Sequence, residues 1–385
     1  MQTKAETIRE TNANKGEWAE LYVFLKLLGE GRLYAADEKL NKRKDSYLDV
    51  LRILREEVAG IVMSYSREGD PDTVEIYNGD QLVTVLPAKI FLDNAVDFFE
   101  HLSNAKPPIG PTKGVADLAE QIGLTKIKAP GIKSLKAIVC AGGKTDIVIK
   151  LRDSRNSLIT TMGFSIKSQF AQPPTLFNAG TSAQVNYYME GMDDTQAAEF
   201  NALVDEQGKR KWAKCRSFIK EHEIKPVFVG SKYPTLDDNL EYIRESMPAF
   251  WAYAVKVAIL DKQSIKDIPK ICELAERENP LGYKHVDLYE KVFKDFLFAA
   301  FSGMTAGLPW DGAEQVNGGY IVVKSNGEVL CYHANDREDF RNYLFNTTHL
   351  EYVSCSKYKW GFVEKDESGR WILPAMASVR FHKNR

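Results

Sequence analysis

Residues 144–168 constrain the fold more than any other stretch of this chain. KTDIVIKL (144–151) alternates apolar and polar side chains, RDSRN (152–156) is turn-like, and SLITTMGFSIKS (157–168) resumes the alternation. A period of two marks a half-buried strand, so the segment predicts a β-hairpin. Successive side chains on a strand point to opposite faces. Ile147, Ile149 and Leu151 then share a face, as do Met162, Phe164 and Ile166 on the second strand. If these apolar faces bury together, Asp146, Ser165 and Lys167 emerge on one common face, with Val148, Lys150 and Gly163.

That face carries the groups phosphodiester hydrolysis needs. A hard cation held by carboxylate and backbone oxygens polarises a phosphate and acidifies a water. Asp146 is the natural metal ligand, and the Ile166 carbonyl is a second candidate. Lys167 suits orienting or deprotonating the water and stabilising the charge of the transition state. The D-x(18)-S-x-K spacing is weak alone, because a surface Asp–Lys pair on a hairpin is the commoner outcome.

Charge distribution adds to the case. The net charge is −2, which argues against indiscriminate nucleic-acid binding. Residues 126–152 nevertheless hold seven basic residues (Lys126, Lys128, Lys133, Lys136, Lys144, Lys150, Arg152) against one acid, Asp146. A phosphate-binding field and a solvated surface both fit. Residues 168–189 contain no charged side chain, yet include Gln169, Gln172, Asn178, Gln184 and Asn186. Amides read base edges, so these five, with Lys144 and Lys150, are the candidate DNA contacts; a plain polar loop is the alternative. Gln184 and Tyr188 also form a QxxxY spacing.

The rest of the chain reads as globular. Hydrophobic residues make up 44% and charged residues 27%, too apolar for a disordered tail. No run of about 18 apolar residues is present. The N-terminus lacks an apolar signal core. The five cysteines (Cys140, Cys215, Cys272, Cys331, Cys355) form no metal-ligand or disulfide spacing, which favours a reducing cytoplasm. Residues 15–30 predict a buried helix capped by Asn12 or Asn14 and ending at Gly29 or Gly31. Residues 48–64 predict a helix or a helix–strand pair. Residues 73–86 predict a hairpin turning at Asn78-Gly79. Helices are expected at 88–104, 115–122, 194–224, 236–263, 264–278, 284–303 and 336–346. A further hairpin turns at Asn326-Gly327.

Other candidates are weaker. Lys209, Arg210, Lys211, Lys214 and Arg216 around Trp212 read as a phosphate track or a solvated helix face. Lys357, Lys359 and Arg380 near Tyr358, Trp360 and Trp371 read the same way. His222, His285 and His333 read as structural. Gly142-Gly143-Lys144-Thr145 lacks the upstream glycine of a phosphate loop, and a strand follows it.

The helix KGEWAELY followed by the hairpin resembles the PD-(D/E)xK nuclease superfamily. There an acid on a preceding helix joins a hairpin bearing D and (D/E)xK. The resemblance points to Glu20, four residues after Gly16, as a catalytic acid and metal ligand. Thr145 stands where the superfamily has Pro, and Ser165 replaces the second carboxylate. The missing acid falls to Glu20, with Glu190 and Glu17 as alternatives. Three blocks, NKGEWAELYVFLKLLGEGRLYAAD (14–37), GGKTDIVI…GFSIKSQF…PTLFNAG (142–180) and GGYIVVKSNGEVLCYHANDREDFRNYLFNTTHLEYVS (318–354), resemble the HpaII-type family of type II restriction endonucleases. That resemblance implies Mg²⁺-dependent cleavage of double-stranded DNA within a short palindrome, CCGG for the namesake. It also implies a cognate methyltransferase in the same system, and a homodimer suits a palindromic site. The rival functions are a repair or structure-specific nuclease, and a DNA-binding protein on a degraded nuclease fold.

The expected fold is α/β: a PD-(D/E)xK-like mixed sheet flanked by helices, a helical insertion and a C-terminal β-rich segment. By segment, 1–110 is helical/β and contributes to the core. Residues 111–190 carry the hairpin and recognition stretch, 191–310 are helical, and 311–385 are α/β.

Overall fold

The structure, a computed structural model, describes residues 7–58, 60–127, 145–169, 175–314, 318–333, 336–358 and 360–382. Its strands in chain order are β1 (Arg32–Ala36), β2 (Lys42–Val58), β3 (Ile61–Ser66), β4 (Thr73–Asn78), β5 (Gln81–Pro87), β6 (Ile147–Asp153), β7 (Ile159–Ser168) and β8 (Thr175–Phe177). They continue as β9 (Val185–Glu190), β10 (Lys225–Ser231), β11 (Gly318–Val323), β12 (Val329–His333), β13 (Thr348–Tyr352), β14 (Glu364–Lys365), β15 (Trp371–Ala375) and β16 (Ala377–Phe381). The helices are α1 (Lys15–Glu30), α2 (Ala88–Asn104), α3 (Lys113–Gln121), α4 (Asp194–Asn201), α5 (Trp212–Glu221), α6 (Pro234–Ile243), α7 (Met247–Ile259), α8 (Ile268–Glu278), α9 (Leu288–Phe301), α10 (Arg337–Thr347) and the single turn α11 (Cys355–Tyr358). The protein is mixed α/β, divided into two compact units, 1–173 with 315–343 and 383–385, and 174–314 with 344–382.

The first unit is built on a nine-stranded sheet in the order β1-β12-β11-β7-β6-β2-β3-β4-β5. β1 also pairs with β2, so six strands close into a barrel and β3–β5 extend from it. β6 and β7 are the antiparallel hairpin read from the alternation, with Ile147 opposite Phe164 and Ile149 opposite Met162. β11 joins β7 in parallel and β12 runs back antiparallel to β11. The apolar face of the hairpin packs with α1, α2 and α3 in one core. α1 starts on a capping box between Asn14 and Glu17 and ends at Gly31 in the left-handed region. Gly29 lets α1 meet α2, because a Cβ there would lie 2.7 Å from the Leu92 backbone.

The expectation of a helix over 48–64 is wrong. The segment is the end of β2 turning into β3. Ser46, Leu48 and Val50 are buried in alternation, then Leu51, Ile53, Arg55 and Glu57. The register slips between Val50 and Arg52 against β6. That bulge shifts the phase by one residue and hides the period of two. The buried Arg55–Glu57 ion pair, 2.5 Å apart, adds polar residues on the inward face.

The second unit holds two small sheets, β10-β9-β15-β14 and β13-β16-β8, and helices α4–α9. Phe177, Trp251, Phe293 and Phe296 meet edge-on or tilted in its core. The stretch 191–310, expected to be helical, also contains β10, and the helix expected over 194–224 is two helices separated by a turn. That turn buries Arg210, 8% exposed, against the rings of Phe200 and Phe362. Arg210 is therefore neither a phosphate track nor a solvated face. Trp360 is likewise buried. Among the described residues, no helix is long and apolar enough to cross a membrane. Cys215, Cys272, Cys331 and Cys355 are free thiols.

Candidate active site

Asp146 immediately precedes β6, and its N–H donates to the Phe164 carbonyl at 2.8 Å. This extends the ladder by one residue and sets Asp146 beside Ser165. The Asp146 carboxylate Oδ2 accepts the Ser165 hydroxyl at 3.0 Å and the Ile166 N–H at 2.8 Å. Lys167 Nζ donates to Ser165 Oγ at 2.9 Å. Carboxylate, hydroxyl and ammonium thus form one hydrogen-bonded chain across two neighbouring strands. Ser165, Ile166 and Lys167 are all half-buried, whereas Ile147, Ile149, Met162 and Phe164 on the opposite face are closed from solvent.

Parallel pairing brings β11 into the same array, with Tyr320 registered on Ser165 and Val322 on Lys167. Lys167 Nζ stands 4.9 Å from the centre of the Tyr320 ring. Burial pushes the Tyr320 phenol far up, with Tyr343 and the Asp146 charge adding to the shift, so it stays protonated. Sequence reasoning does not single out Tyr320. Its place depends on a register between strands far apart in the chain, and no local pattern announces that.

The other candidates are dispersed. Glu20 and Glu17 lie on α1, which packs against β7, and Glu20 is half-buried. Glu17 Oε2 is taken by the Asn14 backbone N–H at 3.1 Å, as part of the helix cap. Glu190 is exposed at the end of β9 in the second unit, opposite Lys225. Lys150 is paired with Glu68 at 2.6 Å, and Arg152 with Asp49 at 3.0 Å. Two of the three described basic residues of that field are therefore locally neutralised. Gln169 continues β7 by donating its N–H to Val323, and its side-chain oxygen accepts the Ser325 N–H at 3.2 Å.

Asn178, Gln184 and Asn186 belong to the second unit. Asn178 is exposed and Asn186 half-buried. Gln184 is 6% exposed, and its Oε1 has no hydrogen-bond partner among the described residues. Lys128, Lys133, Lys136, Gly142, Gly143, Lys144, Gln172, Cys140 and Lys359 lie outside the described residues. His333 is buried 3.0 Å from Asp336 and is structural.

The donor set suits a lightly held hard cation. Oδ1 of Asp146 takes no hydrogen bond from a described residue, and Ile166, whose N–H reaches Oδ2 at 2.8 Å, lies on the neighbouring strand. No group of three or more His, Cys, Asp or Glu converges on a metal position among the described residues. One carboxylate and a carbonyl, completed by water and substrate phosphate, match the way Mg²⁺ is usually bound.

Comparison with known proteins places the chain among the type II restriction endonucleases, enzymes that cut DNA at specific sites. The type II restriction enzyme HpaII of Haemophilus parainfluenzae is 30% identical over 356 residues, covering 91% of this chain and 94% of that protein. The model of the HpaII restriction endonuclease family matches residues 14–373, and the chain belongs to that family. No solved structure matches it.

Proposed function

We propose that this endonuclease hydrolyses duplex DNA at Asp146, Ser165 and Lys167 with Mg²⁺, on a core of the PD-(D/E)xK type. The observation that carries this reading is the hydrogen-bonded chain from Asp146 Oδ2 through Ser165 Oγ to Lys167 Nζ. Asp146 and the Ile166 carbonyl would hold the cation, with Glu20 supplying the further carboxylate. When bound, Mg²⁺ supplies Lewis-acid polarisation of the phosphate. Lys167 orients the attacking water and stabilises charge on the phosphoryl oxygens. Ser165 holds Lys167 and Asp146 in register. The helix–hairpin order α1, β6, β7 supports the core assignment, as does the mixed pairing of β7 with β6 and β11.

Gln169, Asn178, Gln184 and Asn186 are the proposed base-contacting residues within the described chain, and Lys150 a phosphate contact released from Glu68. Gln184 Oε1, buried and without a hydrogen-bond partner among the described residues, supports that choice, since a base amino group would satisfy it once DNA binding uncovers it. CCGG is the site to test first. A homodimer would match a palindrome, and a cognate methyltransferase would protect host DNA in the same cytoplasm.

Supercoiled plasmid carrying CCGG sites, incubated with protein and Mg²⁺, should give discrete fragments that EDTA abolishes. Asp146→Ala and Lys167→Ala should each abolish cleavage while retaining duplex binding. Full activity in either variant would sink the assignment.

A further inference from the structure

We propose that Tyr320 is a positioning residue for Lys167, its ring face holding the ammonium against the Ser165–Asp146 pair. The inference rests on the reading of Lys167 as a catalytic group. A lysine head on four methylenes has many rotamers, and catalysis needs it in one place. Two contacts with described residues help define that place here. Ser165 Oγ takes Nζ at 2.9 Å, and the Tyr320 ring centre lies 4.9 Å from Nζ. A cation within about 6 Å of a ring face is attracted by the ring quadrupole, more strongly where water is excluded.

Tyr320 meets that condition, being 5% exposed on β11. Its ring is fixed in turn. Phe340 meets it edge-on at 5.3 Å, and Phe340 stacks on Tyr332 at 5.8 Å. Tyr332 is registered directly opposite Tyr320, on β12. One row of side chains therefore runs Asp146, Ser165, Tyr320, Tyr332 across four strands, and the rigid aromatic half supports the polar half. An aliphatic residue at 320 would fill space without a quadrupole and remove the ring's attraction for the ammonium.

The test is single-turnover cleavage of plasmid DNA with Mg²⁺, read as the maximal rate and the protein concentration giving half that rate. Tyr320→Phe should cut within about threefold of the wild-type rate, because the ring face is kept. Tyr320→Leu should lose about tenfold in maximal rate, the scale of one such contact, with half-saturation little changed. Phenylalanines bearing one, two and three ring fluorines at 320 nearly preserve size while draining the ring face. The rate should fall progressively along that series. A flat series, or a Tyr320→Phe loss as large as that of Tyr320→Leu, overturns the proposal. A Lys167→Ala variant that cuts normally would instead overturn the underlying site reading.

Discussion

Ser165 does two things at once: its hydroxyl donates to Asp146 and its oxygen accepts from Lys167. A carboxylate at that position would bind a cation more strongly but would have no proton to give Asp146. On the proposed reading, the serine gives up metal affinity for order between the two outer groups. Ser165→Ala should slow cleavage by roughly 10- to 100-fold, the scale of a lost ordering hydrogen bond, and less than Asp146→Ala. Asp146 would still hold the Ile166 N–H, so the strand geometry should survive, as near-ultraviolet circular dichroism can verify. On the proposed reading, the serine also leaves the site short of an acid. Glu20 sits half-buried on the helix that packs against β7, whereas Glu190 is exposed in the second unit. Glu20→Gln should therefore raise the Mg²⁺ concentration for half-maximal cleavage, and Glu190→Gln should not. If Glu20→Gln titrates like wild type while Glu190→Gln fails at limiting Mg²⁺, the acid comes from the other unit.

Elements are joined by an ion cluster at the far end of the hairpin, in which an exposed Arg155 covers two largely buried carboxylates. Arg155 in the β6–β7 turn pairs with Asp153 at 3.0 Å and with Asp336 at 2.6 Å, just ahead of α10. Burial alone would push the Asp336 carboxyl up, but His333 and Arg155 outweigh it and hold the group far below the usual carboxylate range. Asp153 is held down first by its hydrogen bond from Arg155. A depressed acid stabilises the fold above its unfolded pKa of about 4 and loses that contribution as pH falls through the folded value. Urea midpoints should therefore drop for the wild type below about pH 4. The gap between wild type and Asp336→Asn should narrow over the same range; a gap independent of pH would remove Asp336 from that role.

This cluster was not legible in the sequence, since Asp153 and Asp336 meet only through the closed sheet. Neither was the Tyr320 register. What could be read was local: the Asn14 cap, the turns at Asn78-Gly79 and Asn326-Gly327, and the parity that put Asp146, Ser165 and Lys167 on one face. β2 escaped because its bulge broke the alternation, and β10 because Pro226 near its start and Gly230 near its end interrupt a short strand between helices. Closure of the barrel rests on β1 pairing with both β2 and β12, and no single segment encodes that.

At the scale of the whole molecule, a net charge of −2 supplies no general attraction to DNA, so affinity must come from a few placed cations. Lys150 is a useful probe because its partner is known. Glu68 is shared between Lys150 and Arg52, and those contacts hold its carboxyl low against the upward push of burial. On DNA, a phosphate would compete with Glu68 for Lys150. Each phosphate neutralised by a protein cation contributes roughly −0.9 to the slope of log K against log[salt]. Binding of CCGG duplex by an Asp146→Ala background, measured across salt concentrations, should give a steep slope. Adding Lys150→Ala should flatten that slope by about one unit. Adding Glu68→Gln instead should tighten binding at low salt, because the competing carboxylate is gone while the cation remains. An unchanged slope in the Lys150→Ala protein would mean that the Lys150–Glu68 pair stays closed on DNA. The phosphate contacts would then have to be sought elsewhere on the surface.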